Sequence, residues 1–177
     1  MSNRLRLYVP SLDELWYRQN IMKDPETMSY NKGYDMTFEG YDRETGCMTF
    51  PKEDWEDWYD YFIGNEPECF YAYLVRIEDN AFIGEVNVHK NNIMPWYDMG
   101  IVIEAKYRGH KYAVEGLLLL LDYAFDKLHA EAVHNDFEIH REAALRTHLS
   151  TGFKEYKREN EIVELLITQE QWKSVKR

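Results

Sequence analysis

The stretch YRGHKYAVEGLLLLLDYAFDKL, from Tyr107 to Leu128, constrains the architecture more than any other part of the chain. Ala113, Leu117, Leu120, Leu121, Ala124 and Leu128 recur at helical spacing, so one face of a helix must be buried. Just before it, Tyr97 to Ile103 reads as a strand. The loop between them, Glu104 to Gly109, and the helix start gather Arg108, His110 and Lys111. A helix N-terminus already presents about half a positive charge and unpaired N–H groups. Cations are unfavourable there unless an anion shares the place. Strand, loop and helix start is also the arrangement that binds phosphate. On charge alone a solvated basic turn is the commoner outcome; the position after an apolar strand favours the anion.

Around this unit the remaining elements follow from local signals. Leu5 to Val9 reads as a short strand. Ser11-Leu-Asp-Glu14 is a capping box that opens a helix to about Asn20. Asp24-Pro25 supplies an N-cap and a proline at the first helical position. Residues 30–49 read as a long loop or weak hairpin. Pro51 opens a helix whose Trp55, Trp58, Tyr59 and Phe62 share one face, ending at Gly64. Phe70 to Arg76 and Phe82 to His89 form a hairpin through Glu78-Asp-Asn80. In the second strand Phe82, Gly84, Val86 and Val88 are expected on one side, with Ile83, Glu85, Asn87 and His89 on the other. Ala132 to Ile139 is a strand, Arg141 to Thr151 a helix closed by Gly152, and Glu161 to Ile167 a last strand before a capped terminal turn. The fold class is α/β: a single mixed, largely antiparallel sheet flanked by helices.

A length of 177 residues suits one domain with a sizeable core. The net charge of −11 disfavours a nucleic-acid partner and is compatible with a cationic small molecule or basic peptide. The longest apolar run, Leu117 to Leu121, is too short for a membrane span, and MSNRLRLYVP lacks the apolar core of a signal peptide. A cytoplasmic location with free Cys47 and Cys69 is therefore expected.

Two blocks resemble the GNAT acyl-CoA N-acyltransferases, and most closely the branch that includes ribosomal-protein N-terminal acetyltransferases. The first is Asp98-Met-Gly100-Ile-Val-Ile103, followed by Arg108-Gly109-His-Lys111-Tyr-Ala113-Val-Glu115 and the leucine-rich helix. The second runs from Arg141 to Gly152-Phe153. The resemblance implies one domain over 1–177, with 1–68 covering the acceptor side and 69–177 forming the acyl-CoA-binding core. It implies acetyl-CoA as acyl donor and transfer to a primary amine by direct attack. The pyrophosphate would lie on the amides of Arg108, Gly109, His110, Lys111, Tyr112 and Ala113. The pantetheine arm would follow the splayed edge at Ile101, Val102 and Ile103. Three positions depart from the pattern. Lys111 stands where the family prefers glycine, and must either adopt an ordinary helical φ, its ammonium replacing an amide contact, or crowd the phosphate. Arg141 replaces an asparagine that contacts the cofactor arm. His148 replaces a tyrosine that protonates the leaving thiolate.

Amine acetylation needs a neutral amine, a thioester held close and a proton path. Asp98 is the first candidate base and Glu85 the second; each is as readily a solvent-exposed strand carboxylate. His148 is the candidate acid, with packing beside Leu145 and Leu149 as its plainer role. His134, Asp136, Glu138 and His140 alternate along one strand, but so long a line does not converge on one ion, and no metal is expected. Tyr30, Tyr34, Phe38 and Tyr41, interleaved with acids, suit a cationic acceptor. Trp55, Trp58, Tyr59 and Phe62 are assigned to the core. A cofactor-binding sensor without turnover and a protein-interaction module remain the alternatives. An isologous homodimer is the default assembly.

Overall fold

The structure is a computed structural model that describes residues 4–37 and 39–176. Phe38, one of the aromatics noted above, lies outside the described residues, as do residues 1–3 at the chain start. Seven strands form one sheet in the order β1-β2-β3-β4-β5-β7-β6. They are β1 Leu5–Tyr8, β2 Cys69–Arg76, β3 Phe82–Lys90, β4 Tyr97–Ile103, β5 Ala132–Glu138, β6 Lys154–Glu159 and β7 Ile162–Thr168. Every pairing is antiparallel except that of β4 with β5. The expected fold class is the one observed.

The helices are α1 Trp16–Lys23, α2 Pro25–Met28, α3 Trp55–Phe62, α4 Tyr112–Asp126, α5 Glu142–Ser150 and α6 Gln169–Val175. α4 lays its leucine stripe on one face of the sheet. Leu117, Leu120, Leu121 and Ala124 are fully buried there, against Leu74, Val86, Val88 and Val133. Gly116 allows the close approach: a Cβ at this position would lie 2.6 Å from Leu74 Cδ1. The other face is covered by α1 and α3, through a smaller cluster of Tyr17, Ile21, Tyr71, Tyr73 and Val75. Trp55, Trp58, Tyr59 and Phe62 pack into this cluster or its neighbour around Leu15 and Phe50. Asp24 caps α2 through the amides of Glu26 and Thr27.

Two details differ from the sequence reading. β6 was not foreseen. All its residues are exposed, so it lacks the alternation that marks a half-buried strand. It pairs with β7 across Asn160 and Glu161, both at positive φ. In β3 the expected alternation holds from Gly84 onward but reverses before it. A bulge between Leu74 and Val75 shifts the register, placing Ile83 in the α4-side core and Phe82 among Tyr17 and Tyr73. Among the described residues no helix is long and apolar enough to cross a membrane, and Cys47 and Cys69 are free thiols.

Candidate active site

β4 and β5 begin side by side and then part. Their parallel pairing is confined to Tyr97 with Val133 and Asp98 with His134. β4 continues to Ile103 along β3 alone, leaving the edge from Met99 onward open on the β5 side. A cleft of about 700 Å³ occupies this opening. Its walls include Ile101, Val102 and Ile103 of β4, the loop and start of α4, the first half of α5, and Tyr30. Of the residues expected to hold the donor, Ile101, Val102, Ile103, Arg108, Gly109, Lys111, Tyr112, Ala113 and Arg141 line this one cavity.

The floor of the cleft is the N-terminus of α4. The first hydrogen bond of the helix runs from the Glu115 amide to the Lys111 carbonyl, 3.3 Å. The amides of Tyr112, Ala113 and Val114 therefore lack intrahelical partners and point outward with the helix dipole behind them. Lys111 takes neither course foreseen for it. It sits at φ 63°, ψ 16°, the left-handed conformation that a glycine would adopt there. Its ammonium has no hydrogen-bond or ion-pair partner among the described residues.

The other two cations behave differently from expectation. The Arg108 guanidinium donates to the carbonyls of Ile103 at 3.1 Å, Glu26 at 3.1 Å and Thr27 at 2.6 Å. Its amide donates to Ala105, 3.1 Å. Arg108 is thus a clamp between the end of β4 and α2, with each of its three nitrogens already donating once. The His110 side chain is not part of the cleft wall. Its ring packs on Tyr112 at 5.6 Å, and its carbonyl accepts from Arg4.

Of the three candidate catalytic groups, only His148 lines the cleft. It is 2% exposed, with Nδ1 2.8 Å from the Ala144 carbonyl and Nε2 2.9 Å from Asn135 Nδ2. The carbonyl requires a proton on Nδ1, so Nε2 accepts from the asparagine amide. Burial lowers the pKa of the ring from its ordinary value, which keeps it neutral. With both nitrogens engaged, it has no proton to give a thiolate. The plainer reading, a packed helix histidine, describes it; its ring neighbours are Phe137 and Phe153.

The two carboxylates are not simple exposed strand acids. Asp98 closes the paired part of β4. It accepts from His134 Nδ1 at 2.8 Å, Trp96 Nε1 at 3.2 Å and Asn91 Nδ2 at 2.7 Å. It lies roughly 16 Å along the strand from Ile103. Glu85 is 4% exposed and stands directly across from Val102, which lines the cleft. It is paired with Arg18 and accepts a hydrogen bond from the Tyr71 hydroxyl. Arg141, at the N-cap of α5, stacks its guanidinium on Tyr30 at 5.0 Å and Phe137 at 5.6 Å. Its Nη1 lies 3.5 Å from Glu138. His134 is turned between Asp98 and Glu164, and no cluster of three or more metal-ligating side chains occurs among the described residues.

Sequence reasoning left Tyr30 open as an acceptor-side aromatic and did not place it in the donor cleft. It also missed Tyr107, His140 and Thr147 as wall residues. Tyr30 is brought to the motif blocks by the short α2, which Arg108 clamps, and by the stacking of Arg141 on its ring.

The pattern of free amides under a splayed pair of parallel strands coincides with a match to the family model described as acetyltransferase (GNAT) domain, over residues 4–154. The chain belongs to the GNAT acetyltransferase family. Solved GNAT structures share its fold. Spermidine N-acetyltransferase from Vibrio cholerae, in complex with CoA and spermine, superposes with a TM-score of 0.75 at 17% identity, covering 96% of this chain and 98% of that one. A GNAT-family acetyltransferase from Bacillus anthracis gives 0.71 at 16% identity, over 96% and 98%. FdhC, described as a nucleotide-linked sugar GNAT, gives 0.70 at 18% identity, over 98% and 92%. No curated protein matches the chain. None of the three is described as a ribosomal-protein acetyltransferase. The finer branch suggested by the Asp98 and Arg108 blocks is not supported by them.

Proposed function

We propose that the protein transfers an acetyl group from acetyl-CoA to a primary amine of a small molecule or peptide N-terminus. The observation that carries this reading is the opening between β4 and β5, whose floor is the unpaired amides of α4. A pyrophosphate needs such amides, and the partnerless Lys111 ammonium adds a charge-assisted contact. The open edge of β4 offers backbone groups to a pantetheine amide and N–H donors to a thioester carbonyl. The residues present thus fit the donor, and of the three cations at the helix start Lys111 is the one left for its anion.

Asp98 and Glu85 each already accept from neighbouring donors, and Arg18 holds the Glu85 charge. The acceptor therefore enters as the free amine, and its proton leaves to water. His148 is neutral and fully bonded, and the Thr147 hydroxyl already donates to the Ala143 carbonyl at 2.9 Å, so the Tyr30 phenol of the same cleft is the donor at hand for the leaving sulfur. Burial raises the Tyr30 pKa, so the phenol keeps its proton at neutral pH.

Thiol release from acetyl-CoA across a panel of amines tests this function. Steady release with at least one amine is expected. Its rate should climb tenfold per pH unit below the amine's own pKa, about 10.4 for a lysine-like amine. Binding of acetyl-CoA without release for any amine would instead favour the sensor.

A further inference from the structure

The acceptor face of the sheet holds a cation site already filled by the protein itself. Arg18, on α1, reaches down to Glu85 on β3 and forms an ion pair with it. Its guanidinium lies 4.7 Å from the ring centroid of Trp58, 5.3 Å from Phe50 and 5.6 Å from Tyr71. Tyr71 closes the arrangement by donating to the second oxygen of Glu85. The Arg18 and Glu85 side chains are only 14% and 6% exposed. Aromatic walls around a buried carboxylate form the recognition chemistry for an alkylammonium or guanidinium group. Arg18 Nε, also buried, has no hydrogen-bond partner among the described residues. The ion pair runs through Nη1 to one carboxylate oxygen while Tyr71 takes the other, a looser fit than a bidentate pair.

The location gives this filled site a consequence. Glu85 pairs across the sheet with Val102, and Val102 both packs on the acceptor-side cluster and lines the donor cleft. With Arg18 absent, a second cationic group on an acceptor held near Val102 would meet this carboxylate, the residue directly across the sheet from it. We infer that Arg18 is a specificity-determining residue: it occupies the cation cage from within the chain, so the enzyme takes acceptors with a single amine and rejects diamines and polyamines. Removing the side chain would open the cage to a guanidinium or alkylammonium tail. The acceptor part of this inference rests on the proposed acetyl transfer; the cage itself does not.

The experiment has two arms. In the first, thermal denaturation of Arg18→Ala is followed with and without millimolar ethylguanidinium, beside wild type and the charge-free double variant Arg18→Met/Glu85→Gln. Arg18→Ala leaves Glu85 buried and uncompensated, and its Tm should fall by roughly 6–20 °C. Ethylguanidinium should recover at least half of that loss, and should leave wild type and the double variant unmoved. No recovery, or equal recovery in the double variant, overturns the cage. If Arg18→Ala does not fold alone, refolding yield with and without ethylguanidinium reads the same question: recovery only with the cation supports the cage, and no recovery overturns it. In the second arm, kcat/KM is compared for 1,4-diaminobutane and butylamine. The diamine-to-monoamine ratio should rise at least tenfold in Arg18→Ala over wild type. An unchanged ratio, with both proteins active, overturns the specificity role. Absence of turnover in wild type with every amine counts against acetyl transfer, and the first arm then decides the cage by itself.

Discussion

A lysine held at φ 63° carries strain that glycine would not. Lys111→Gly should relieve it and raise stability by about 0.5–1 kcal/mol, since the greater entropy of the unfolded glycine chain offsets part of the gain. Calorimetry should show a Tm higher by roughly 1–4 °C. The same change removes the ammonium from the cleft, so the Kd for acetyl-CoA should rise about 3–10-fold. A variant that is more stable and binds less tightly separates the two roles of one residue. His148 makes a prediction about pH. Its folded pKa lies below the ordinary 6.5, so the unfolded chain binds the proton more readily. Its contribution to stability is present at neutral pH and is lost as pH falls below about 6.5 toward the lower folded value. His148→Gln, which can still accept from Asn135, should flatten the dependence of Tm on pH between 7.5 and 5.5 relative to wild type. An unchanged slope would show that the ring is not what senses acid. His148 was legible as a packed helix histidine, but its ring partners and the left-handed φ of Lys111 were not, for one reason. Both depend on backbone conformation and packing, a left-handed φ and a ring wedged between Phe137 and Phe153, which residue type does not encode.

At the scale of elements, the cleft depends on how α4 and its loop are fixed. Arg108 ties the end of β4 to the last turn of α2 through three carbonyls. Lysine keeps the charge but lacks the fork. Arg108→Lys should therefore lower Tm nearly as much as Arg108→Ala, and both should weaken acetyl-CoA binding by loosening the loop. If the role were charge on the pyrophosphate, Lys would bind close to wild type. At the other end of the first turn, Gly116→Val would force its side chain into Leu74. Overpacking of this kind costs about 1–3 kcal/mol, and a Tm lower by roughly 2–12 °C is the expected reading. The apolar period of α4, the caps of α2 and α6, and the strand and loop before α4 were all readable because each has a local signal. β6 was not, because an exposed edge strand with charged residues on both faces has no hydrophobic alternation to read. The reversal of Phe82 and Ile83 was hidden for a related reason: a bulge is a property of two paired strands.

At the scale of the molecule, the sheet order sets the function. A strand pair that is parallel for two residues and then diverges leaves a gap through the layer. α4 stands on one side of it and the Glu85 face on the other. The motif blocks at Asp98–Glu115 and Arg141–Phe153 predicted this gap and most of the residues that line it. They did not predict that Arg108 would be engaged elsewhere, that His110 would lie outside, or that Tyr30 would enter from a segment about 70 residues earlier in the chain. The central claim is that the α4 N-terminus at the floor of this gap binds the donor's pyrophosphate. A thermal titration with acetyl-CoA, on wild type and on Ala113→Glu, tests it most directly. A glutamate in the first turn suits the helix dipole but costs some of the packing of Ala113 against the core, so each protein's shift is read from its own ligand-free Tm. Wild type should gain about 2.7 kcal/mol at a ligand concentration about 100 times Kd, and Ala113→Glu should lose that gain because its carboxylate meets the phosphates. No shift in wild type, or an equal shift in both proteins, would contradict the account.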